Sequence, residues 1–233
     1  NQCTNPAANT VFSDLASRHN MLDEVFLIDT GICNLTSVVN ALNKLEVKNS
    51  TFKKGIDLTQ ACNDSQNYGL IIPGVGSFKD GMTALDEADF IASLHSEDEK
   101  GTPLLGICLG MQLLVESSEE SPGVDGLGLI PGHCKKLPSN PLEPVPNIGW
   151  HPIQFKKHSY FTDGENANAS FYFVHSYAVE TNDAYITGSI QHCQKDYSAI
   201  IEKDQIFGVQ FHPEKSQDCG LKLIDQFINW NAS

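Results

Sequence analysis

Three short apolar segments constrain the fold of this chain most strongly. They span residues 25–28, 70–72 and 103–107, and each is followed by a segment with apolar residues at helical spacing. A strand without polar alternation is buried on both faces, which is the environment of a parallel sheet covered by helices. Parallel neighbours also need long crossover connections, and helices provide them. The pattern predicts an α/β fold with a mostly parallel, open, twisted sheet flanked by helices.

The second half of the chain has shorter apolar segments and more frequent turns. Glycine and proline cluster between residues 122 and 149, where they mark turns. Short strands are predicted at residues 148–155 and 171–174, and a final hairpin at residues 200–211. An amphipathic helix is predicted at residues 221–230. The strands predict a smaller antiparallel sheet in the C-terminal part of the chain.

The domain organisation predicted for the 233 residues is simple, because neither an internal repeat nor a linker is visible. Residues 21–233 are predicted to form one domain. Residues 1–20 are rich in Asn, Ser, Thr and Ala, and we interpret them as an N-terminal extension. They lack the apolar segment of a secretory signal.

The excess of acidic residues bears on the choice of partner. The chain has 29 Asp and Glu against 15 Lys and Arg, which gives a net charge of -14. Binding to nucleic acid and docking on anionic lipid both favour a basic surface. No apolar segment approaches the ~20 residues that a membrane-spanning helix needs. We therefore expect neither a nucleic-acid partner nor a membrane partner.

The seven cysteines form no CxxC pair, so the spacing typical of a zinc site is missing. Their odd number and their scatter are typical of a reduced protein whose cysteines are mostly small core residues. We expect a cytoplasmic chain that uses no metal ion and no cofactor.

One cysteine differs from the others, because it lies between a predicted buried strand and a predicted helix over residues 109–116. Cys108 is bracketed by Gly106 and Gly110, which is the G-x-nucleophile-x-G arrangement of a nucleophile elbow. The following helix N-terminus favours a thiolate, and the Leu109 N–H can donate to an oxyanion. Cys108 is therefore the candidate nucleophile.

A cysteine nucleophile needs a base, and the base needs a group that orients it. His212 and Glu214 lie in one short loop after the last predicted strand, and Pro213 between them stiffens that loop. One imidazole nitrogen can reach a thiol while the other donates to the carboxylate. We predict a triad of Cys108, His212 and Glu214.

A glycine-rich segment, residues 73–78, follows another predicted strand and so lies at the same edge of the sheet. Ligands of open α/β sheets bind at that edge. Gly74 and Gly76 allow the backbone to approach a ligand or to turn an amide toward an oxyanion. The GxxxxGK[ST] spacing of a nucleotide-binding loop is missing.

These motifs together resemble a known family. Residues 106–112 (GICLGMQ) and 210–216 (QFHPEKS) are similar to the motifs of the class I, or triad, glutamine amidotransferases. Residues 73–78 (PGVGSF), 126–132 (GLGLIPG) and 173–177 (FVHSY) resemble the glutaminase subunits of imidazole glycerol phosphate synthases within that family. The resemblance implies a flavodoxin-like α/β fold over nearly the whole chain.

The resemblance also implies roles for individual residues. Cys108 would attack the carboxamide of L-glutamine, His212 would transfer the proton, and Glu214 would orient His212. The residues implied to bind glutamine or its oxyanion are Gly74, Val75, Gly76, Leu109, Gln112, His175, Ser176 and Tyr177.

A partner is implied as well, a TIM-barrel cyclase subunit that forms a heterodimer with this chain and receives the ammonia. The positions that face this partner in the family are Asn34, Trp150 and Lys215. The ammonia would pass through a channel, because in bulk water it would be protonated and ammonium is not a nucleophile.

Two other interpretations stay open from the sequence. A glutaminase of the same family can serve another acceptor, in a sugar-amidating, pyridoxal phosphate or anthranilate pathway, and the identity of a co-purified partner would discriminate. The chain can also be a non-catalytic regulator that keeps the fold. The intact Cys108, His212 and Glu214 argue against that second interpretation.

Overall fold

The computed structural model describes residues 21–157 and 169–230, so the predicted extension at residues 1–20 lies outside the described residues. None of the helices in those two stretches has the length and apolar character needed to cross a membrane.

The architecture is built on a central sheet of eight strands. In spatial order these strands are β2 (Lys48–Phe52), β1 (Glu24–Ile28), β3 (Tyr68–Gly74), β4 (Leu104–Cys108), β13 (Ile206–Val209), β12 (Lys195–Lys203), β11 (Ile186–His192) and β8 (Gln154–Phe155). The first five are parallel, and the last three are added antiparallel. The order of the parallel half is that of doubly wound, flavodoxin-like sheets. The predicted mostly parallel sheet is confirmed.

Helices cover both faces of this sheet. They are α1 (Leu35–Lys44), α2 (Gly55–Asp64), α3 (Phe78–Glu87), α4 (Phe90–Lys100), α5 (Leu109–Leu113) and α6 (Gln217–Ile228). Val25 and Leu27 of β1 pack in one core cluster with residues of α1 and α6. Phe26 and Ile28 of the same strand pack in the other cluster, with residues of α2, α3, α4 and α5. Because β1 is buried on both faces, it is apolar at every one of these positions.

Two smaller sheets lie beside the central one. β7 (Asn147–Pro152) and β9 (Ser170–His175) form an antiparallel pair. β5 (Ser117–Ser118), β6 (His133–Lys136) and β10 (Tyr177–Glu180) form a three-stranded sheet. The predicted small antiparallel sheet is thus present, while the final hairpin of β12 and β13 belongs to the central sheet.

The helix after β4 is shorter than the predicted residues 109–116, because α5 ends at Leu113. The carbonyl groups of residues 113–116 accept hydrogen bonds from residues 126–130. They are therefore not available to the N–H groups of a continuing helix. These bonds run from Leu127 N to Leu113 O, Ile130 N to Leu114 O, Gly128 N to Val115 O and Gly126 N to Glu116 O. The GLGLIPG segment therefore ends the helix by capturing its carbonyl groups.

The predicted helical stretch from Met82 to Leu94 is interrupted between α3 and α4. Asp89 adopts a left-handed conformation with φ 58°, and the carbonyl of Ala88 accepts from Gly55 N–H at 2.8 Å. A Cβ on Gly55 would lie 1.9 Å from the Asp89 carbonyl oxygen. Only glycine permits this approach, which places the start of α2 against the break.

Candidate active site

The turn that carries Cys108 contains no loop residue, because β4 ends at Cys108 and α5 begins at Leu109. Cys108 has φ 55° and ψ −108°, a sparsely populated conformation of the kind found at functional sites. A Cβ on Gly110 would lie 1.8 Å from the Ile72 carbonyl oxygen, and one on Gly106 would lie 2.7 Å from the Gly110 backbone. Glycine is therefore required on both sides of the cysteine.

The candidate base emerges from the neighbouring strand. β13 pairs in parallel with β4, with Val209 opposite Ile107. Cys108 at the end of β4 and His212 shortly after β13 therefore lie at the same edge of the sheet. His212 Nδ1 lies 2.8 Å from Glu214 Oε1, and the two side chains are 3% and 2% exposed. The structure thus brings the predicted His212–Glu214 pair together inside the protein.

The loop that holds His212 is fixed against β9 through Ser216. Ser216 Oγ donates to the His212 carbonyl at 2.6 Å and accepts from Tyr172 N–H at 3.0 Å. His212 N–H in turn donates to the Tyr172 carbonyl at 2.9 Å. These bonds limit the movement of the imidazole relative to the elbow.

The surroundings of His212 favour its charged form. Burial lowers its pKa, but the contacts with Cys108 and Glu214 outweigh burial and raise the pKa to about 9. An imidazolium is therefore expected at neutral pH. Its Nε2 is buried and makes no hydrogen bond of normal geometry to the described residues, so this nitrogen is free to exchange a proton with a reacting group.

The other cysteines provide a contrast. None of the described cysteines, which exclude Cys3, is in a disulfide. Burial is the main reason why the pKa of Cys33 and Cys62 is raised to about 11 and that of Cys134 to about 12. Such thiols stay protonated and inert at neutral pH. Within the described residues no group of His, Cys, Asp and Glu is arranged to hold a metal ion.

The glycine-rich loop runs beside the elbow, since Gly74 pairs with Cys108 across the parallel strands. Val75 N–H, a predicted oxyanion donor, instead donates to the Ile32 carbonyl at 3.2 Å. The loop after β1 therefore occupies this donor in the described conformation. Gly76 has φ 103°, and a Cβ there would meet open space. This positive φ is a backbone conformation that glycine adopts readily and other residues rarely do.

Gln112 lies inside the protein, 6% exposed. Its Nε2 donates to the Tyr177 carbonyl and to Gln210 Oε1, both at 3.0 Å. The structure therefore joins two regions that the sequence analysis placed around one substrate, the helix after the elbow and residues 175–177.

His175 is held neutral in a fixed orientation. Its Nδ1 lies 2.9 Å from the Tyr177 carbonyl and its Nε2 lies 3.1 Å from Asn147 Nδ2. Burial is the main cause that lowers the pKa of His175 to about 4. The Ser176 carbonyl accepts from Leu137 N–H at 2.9 Å. The binding of a substrate by the backbone of residues 175–177 stays a prediction.

Sequence reasoning missed one residue of this site, Gln210. It is fully buried, and its Nε2 lies 3.9 Å from Cys108 Sγ. The signal was in the sequence, because Gln210 begins the QFHPEKS motif. From this motif we predicted roles for His212, Glu214 and Lys215, and none for Gln210.

The predicted partner-facing residues all lie on the surface. Asn34 and Lys215 are exposed, and each follows a strand of the central sheet at its carboxyl edge. Trp150 is 46% exposed on β7, two residues from Ile148, which is 59% exposed. Exposed apolar side chains this close together are typical of an interaction surface.

Comparison with known proteins defines the class. The family profile described as Glutamine amidotransferase class-I matches residues 26–229. The chain belongs to this family of class-I glutamine amidotransferases.

Curated relatives narrow the comparison further. The chain is 39% identical to imidazole glycerol phosphate synthase subunit HisH 1 of Campylobacter jejuni, over 87% of this chain and 98% of that protein. It is 38% identical to the HisH subunit of Moorella thermoacetica, over 87% of this chain and 93% of that protein. These identities confirm the resemblance that the PGVGSF, GLGLIPG and FVHSY segments indicated.

Solved structures agree on the fold. PurLQS of Thermotoga maritima contains a chain with a TM-score of 0.64 at 17% identity, covering 90% of this chain and 99% of that one. A glutamine amidotransferase of Thermotoga maritima has a TM-score of 0.55 at 12% identity, covering 90% and 96%.

Proposed function

We propose that this chain is the glutaminase subunit of an imidazole glycerol phosphate synthase, and that Cys108, His212 and Glu214 hydrolyse L-glutamine. The observation that carries the proposal is the site itself. A strained cysteine at a glycine-bracketed elbow faces a buried histidine whose pKa is raised to about 9. The HisH names of relatives at 38–39% identity support the choice of synthase.

The first half of the reaction forms a thioester. The Cys108 thiolate attacks the side-chain carboxamide carbon of glutamine, and the C–N bond of the tetrahedral intermediate then breaks. The His212 imidazolium gives its Nε2 proton to the leaving nitrogen, which departs as ammonia. Glu214 stabilises the imidazolium and keeps Nε2 directed at the reacting atoms.

The second half regenerates the enzyme. Neutral His212 takes a proton from a water molecule, and the hydroxide oxygen attacks the γ-glutamyl thioester. The C–S bond breaks, glutamate is released, and the thiolate–imidazolium pair is restored. Gln112 and the backbone of residues 175–177 are proposed to hold the amino-acid end of the substrate throughout.

The oxyanion donors give the site a resting and an active form. Leu109 N–H lies at the start of α5 and is the first proposed donor. Val75 N–H, the second, is bound to the Ile32 carbonyl, so it must be released and reoriented before it can stabilise an oxyanion. One such donor contributes roughly 10²–10³ in rate. We therefore propose that the isolated chain hydrolyses glutamine slowly.

The proposed partner is a TIM-barrel cyclase subunit that docks on the exposed surface around Asn34, Trp150 and Lys215 and receives the ammonia. Docking there would contact the loop after β1, which carries Ile32. A movement of this loop would break the hydrogen bond between Val75 N–H and the Ile32 carbonyl. Because catalysis needs Cys108 as a free thiol, we propose a reducing compartment, the cytoplasm, as the location.

The test compares glutamine with ammonia as nitrogen donor. Cys108→Ala, assayed with the cyclase subunit of the same organism, should lose glutamine-dependent synthesis and keep ammonia-dependent synthesis. The wild-type pair should release glutamate at least ~10²-fold faster than the isolated chain. Near-normal glutamine turnover by the alanine variant would contradict the assignment of the nucleophile.

If the cyclase leaves the rate of glutamate release unchanged, the proposed partner is wrong. The matched control replaces the cyclase by the synthase subunit of a sugar-amidating or anthranilate pathway, together with its own acceptor. Stimulation by such a subunit in place of the cyclase would favour the alternative pathways.

A further inference from the structure

A single backbone carbonyl, that of Tyr177, sets the orientation of two side chains in the site. It accepts from Gln112 Nε2 at 3.0 Å and lies 2.9 Å from His175 Nδ1. A carbonyl oxygen can only accept a hydrogen bond. The atom of Gln112 that faces it must therefore be the NH2 group, and the facing nitrogen of His175 must carry the hydrogen.

The same reasoning continues one residue further. The NH2 group of Gln112 also contacts the side-chain amide of Gln210, at 3.0 Å. Since an NH2 group donates, the contacting atom of Gln210 must be its carbonyl oxygen. The remaining terminal atom of Gln210 is then its own NH2 group, and this is the group 3.9 Å from Cys108 Sγ.

We propose that Gln210 is a positioning residue for the nucleophile, whose amide donates to Cys108 Sγ and stabilises the thiolate. The inference rests on the proposed role of Cys108 in glutamine hydrolysis. Gln210 is 0% exposed, so its amide is out of contact with bulk water. A hydrogen bond to the charged form of an acid favours that form.

The second polar neighbour of the sulfur acts in the opposite direction. The Val174 carbonyl oxygen lies 3.9 Å from Cys108 Sγ and can only accept, so it favours the protonated thiol. A carbonyl directed at a thiolate repels it. The proposed hydrogen bond from Gln210 offsets this effect.

The experiment measures the protonation of Cys108 directly. Gln210→Met keeps the length of the side chain and removes the donor. The full chain is alkylated with iodoacetamide across a pH series, and the rate is followed by mass spectrometry of the Cys108 peptide. We expect the midpoint of the pH–rate curve to rise by about one pH unit, and alkylation below the midpoint to slow about tenfold.

Two controls accompany the variant. Cys33 in the same sample is an internal reference, whose alkylation should be unchanged. Gln191→Met makes the same chemical change at an exposed position of β11 and should leave the Cys108 curve where it is. An unchanged midpoint in folded Gln210→Met would overturn the proposal.

A second measurement needs no variant. In the 15N-labelled wild-type chain, the assigned NH2 resonance of Gln210 should shift as Cys108 titrates and again when Cys108 is alkylated. A resonance that stays in place through both changes would also overturn the proposal. A wild-type Cys108 that reacts no faster than Cys33 would instead contradict the proposed function, so the two failures are distinguishable.

Discussion

Replacing Glu214 by glutamine changes the charge beside His212 and little else. The Glu214 carboxylate accepts from His212 Nδ1 at 2.8 Å, and both side chains are almost fully buried. The amide has the same size, so the loop held by Ser216 should keep its conformation. The substitution therefore tests the orienting carboxylate rather than the packing.

The expected loss follows from the two ways in which the amide can sit. With its oxygen toward Nδ1, it places an NH2 group where Glu214 Oε2 now lies, a buried atom without a hydrogen bond to the described residues. The imidazolium also loses a charge-assisted bond of ~1.5–3 kcal/mol for a weaker neutral one. With its NH2 toward Nδ1, it forces the proton onto Nε2, the wrong tautomer, which costs ~10⁴ in serine protease triads. We expect kcat to fall by about 10²–10⁴.

The assay is glutamate release by the complex with the cyclase subunit, at saturating glutamine and acceptor, across a pH series. The pKa of His212, raised to about 9 by Cys108 and Glu214 against burial, should fall in the variant, so activity should decline at a lower pH on the alkaline side. A rate within about tenfold of wild type would refute the reasoning. A large drop in Tm would also refute it, because it would make Glu214 a structural residue.

Two further predictions concern the loop and the core. Gly76→Val strains a backbone held at φ 103° by roughly 1–3 kcal/mol. The ratio of stimulated to basal glutamine hydrolysis should therefore fall at least about tenfold. An unchanged ratio contradicts a switch at this loop. Glu97 is buried and accepts from Tyr68, Thr102 and Lys100, and these bonds outweigh burial and lower its pKa. Glu97→Gln should therefore lower the free energy of unfolding at pH 7 by about 2–4 kcal/mol. A lowered carboxyl pKa stabilises the fold above pH ~4.5, and this stabilisation is lost as pH falls through the folded-state pKa. The difference in free energy of unfolding between wild type and variant, measured in urea, should therefore shrink in acid. A difference that is constant with pH contradicts the ionised network.

The parts of the fold that could be predicted are those with an unambiguous local signal. β1, β3 and β4 are apolar throughout because both of their faces are covered, and few structures besides a covered parallel sheet produce that pattern. β2 gave no such signal, since Lys48–Phe52 lies at the sheet edge and is polar and partly exposed. Its position depends on pairing with β1, which is a tertiary effect.

Helix ends were predicted less well for a similar reason. α5 has the composition to continue past Leu113, but the carbonyl groups it would use accept hydrogen bonds from residues ten or more positions later in the chain. The break at Asp89 depends on contact with Gly55. Neither contact leaves a mark in the local sequence.

In the candidate site too, features with a local sequence signal could be predicted and those that depend on tertiary contacts could not. The Cys108 elbow and the His212–Glu214 pair are local motifs, and the geometry of each agrees with its motif. The contact between Gln210 and Cys108 is not local, because it requires β4 and β13 to be neighbours. Likewise, the hydrogen bond from Val75 N–H to the Ile32 carbonyl requires the loops after β1 and β3 to meet at the carboxyl edge of the sheet.

The position of β13 has a consequence for the order in which the protein is made. Cys108 is the last residue of β4, yet its proposed base, His212, follows β13, which inserts between β4 and β12 and is synthesised about a hundred residues later. A nascent chain emerges N-terminus first, so Cys108 is synthesised long before His212. Until the middle of the sheet is completed by one of its last strands, the cysteine lacks the imidazolium that would make it nucleophilic. With the proposed triad incomplete, we expect a partly synthesised chain not to consume glutamine.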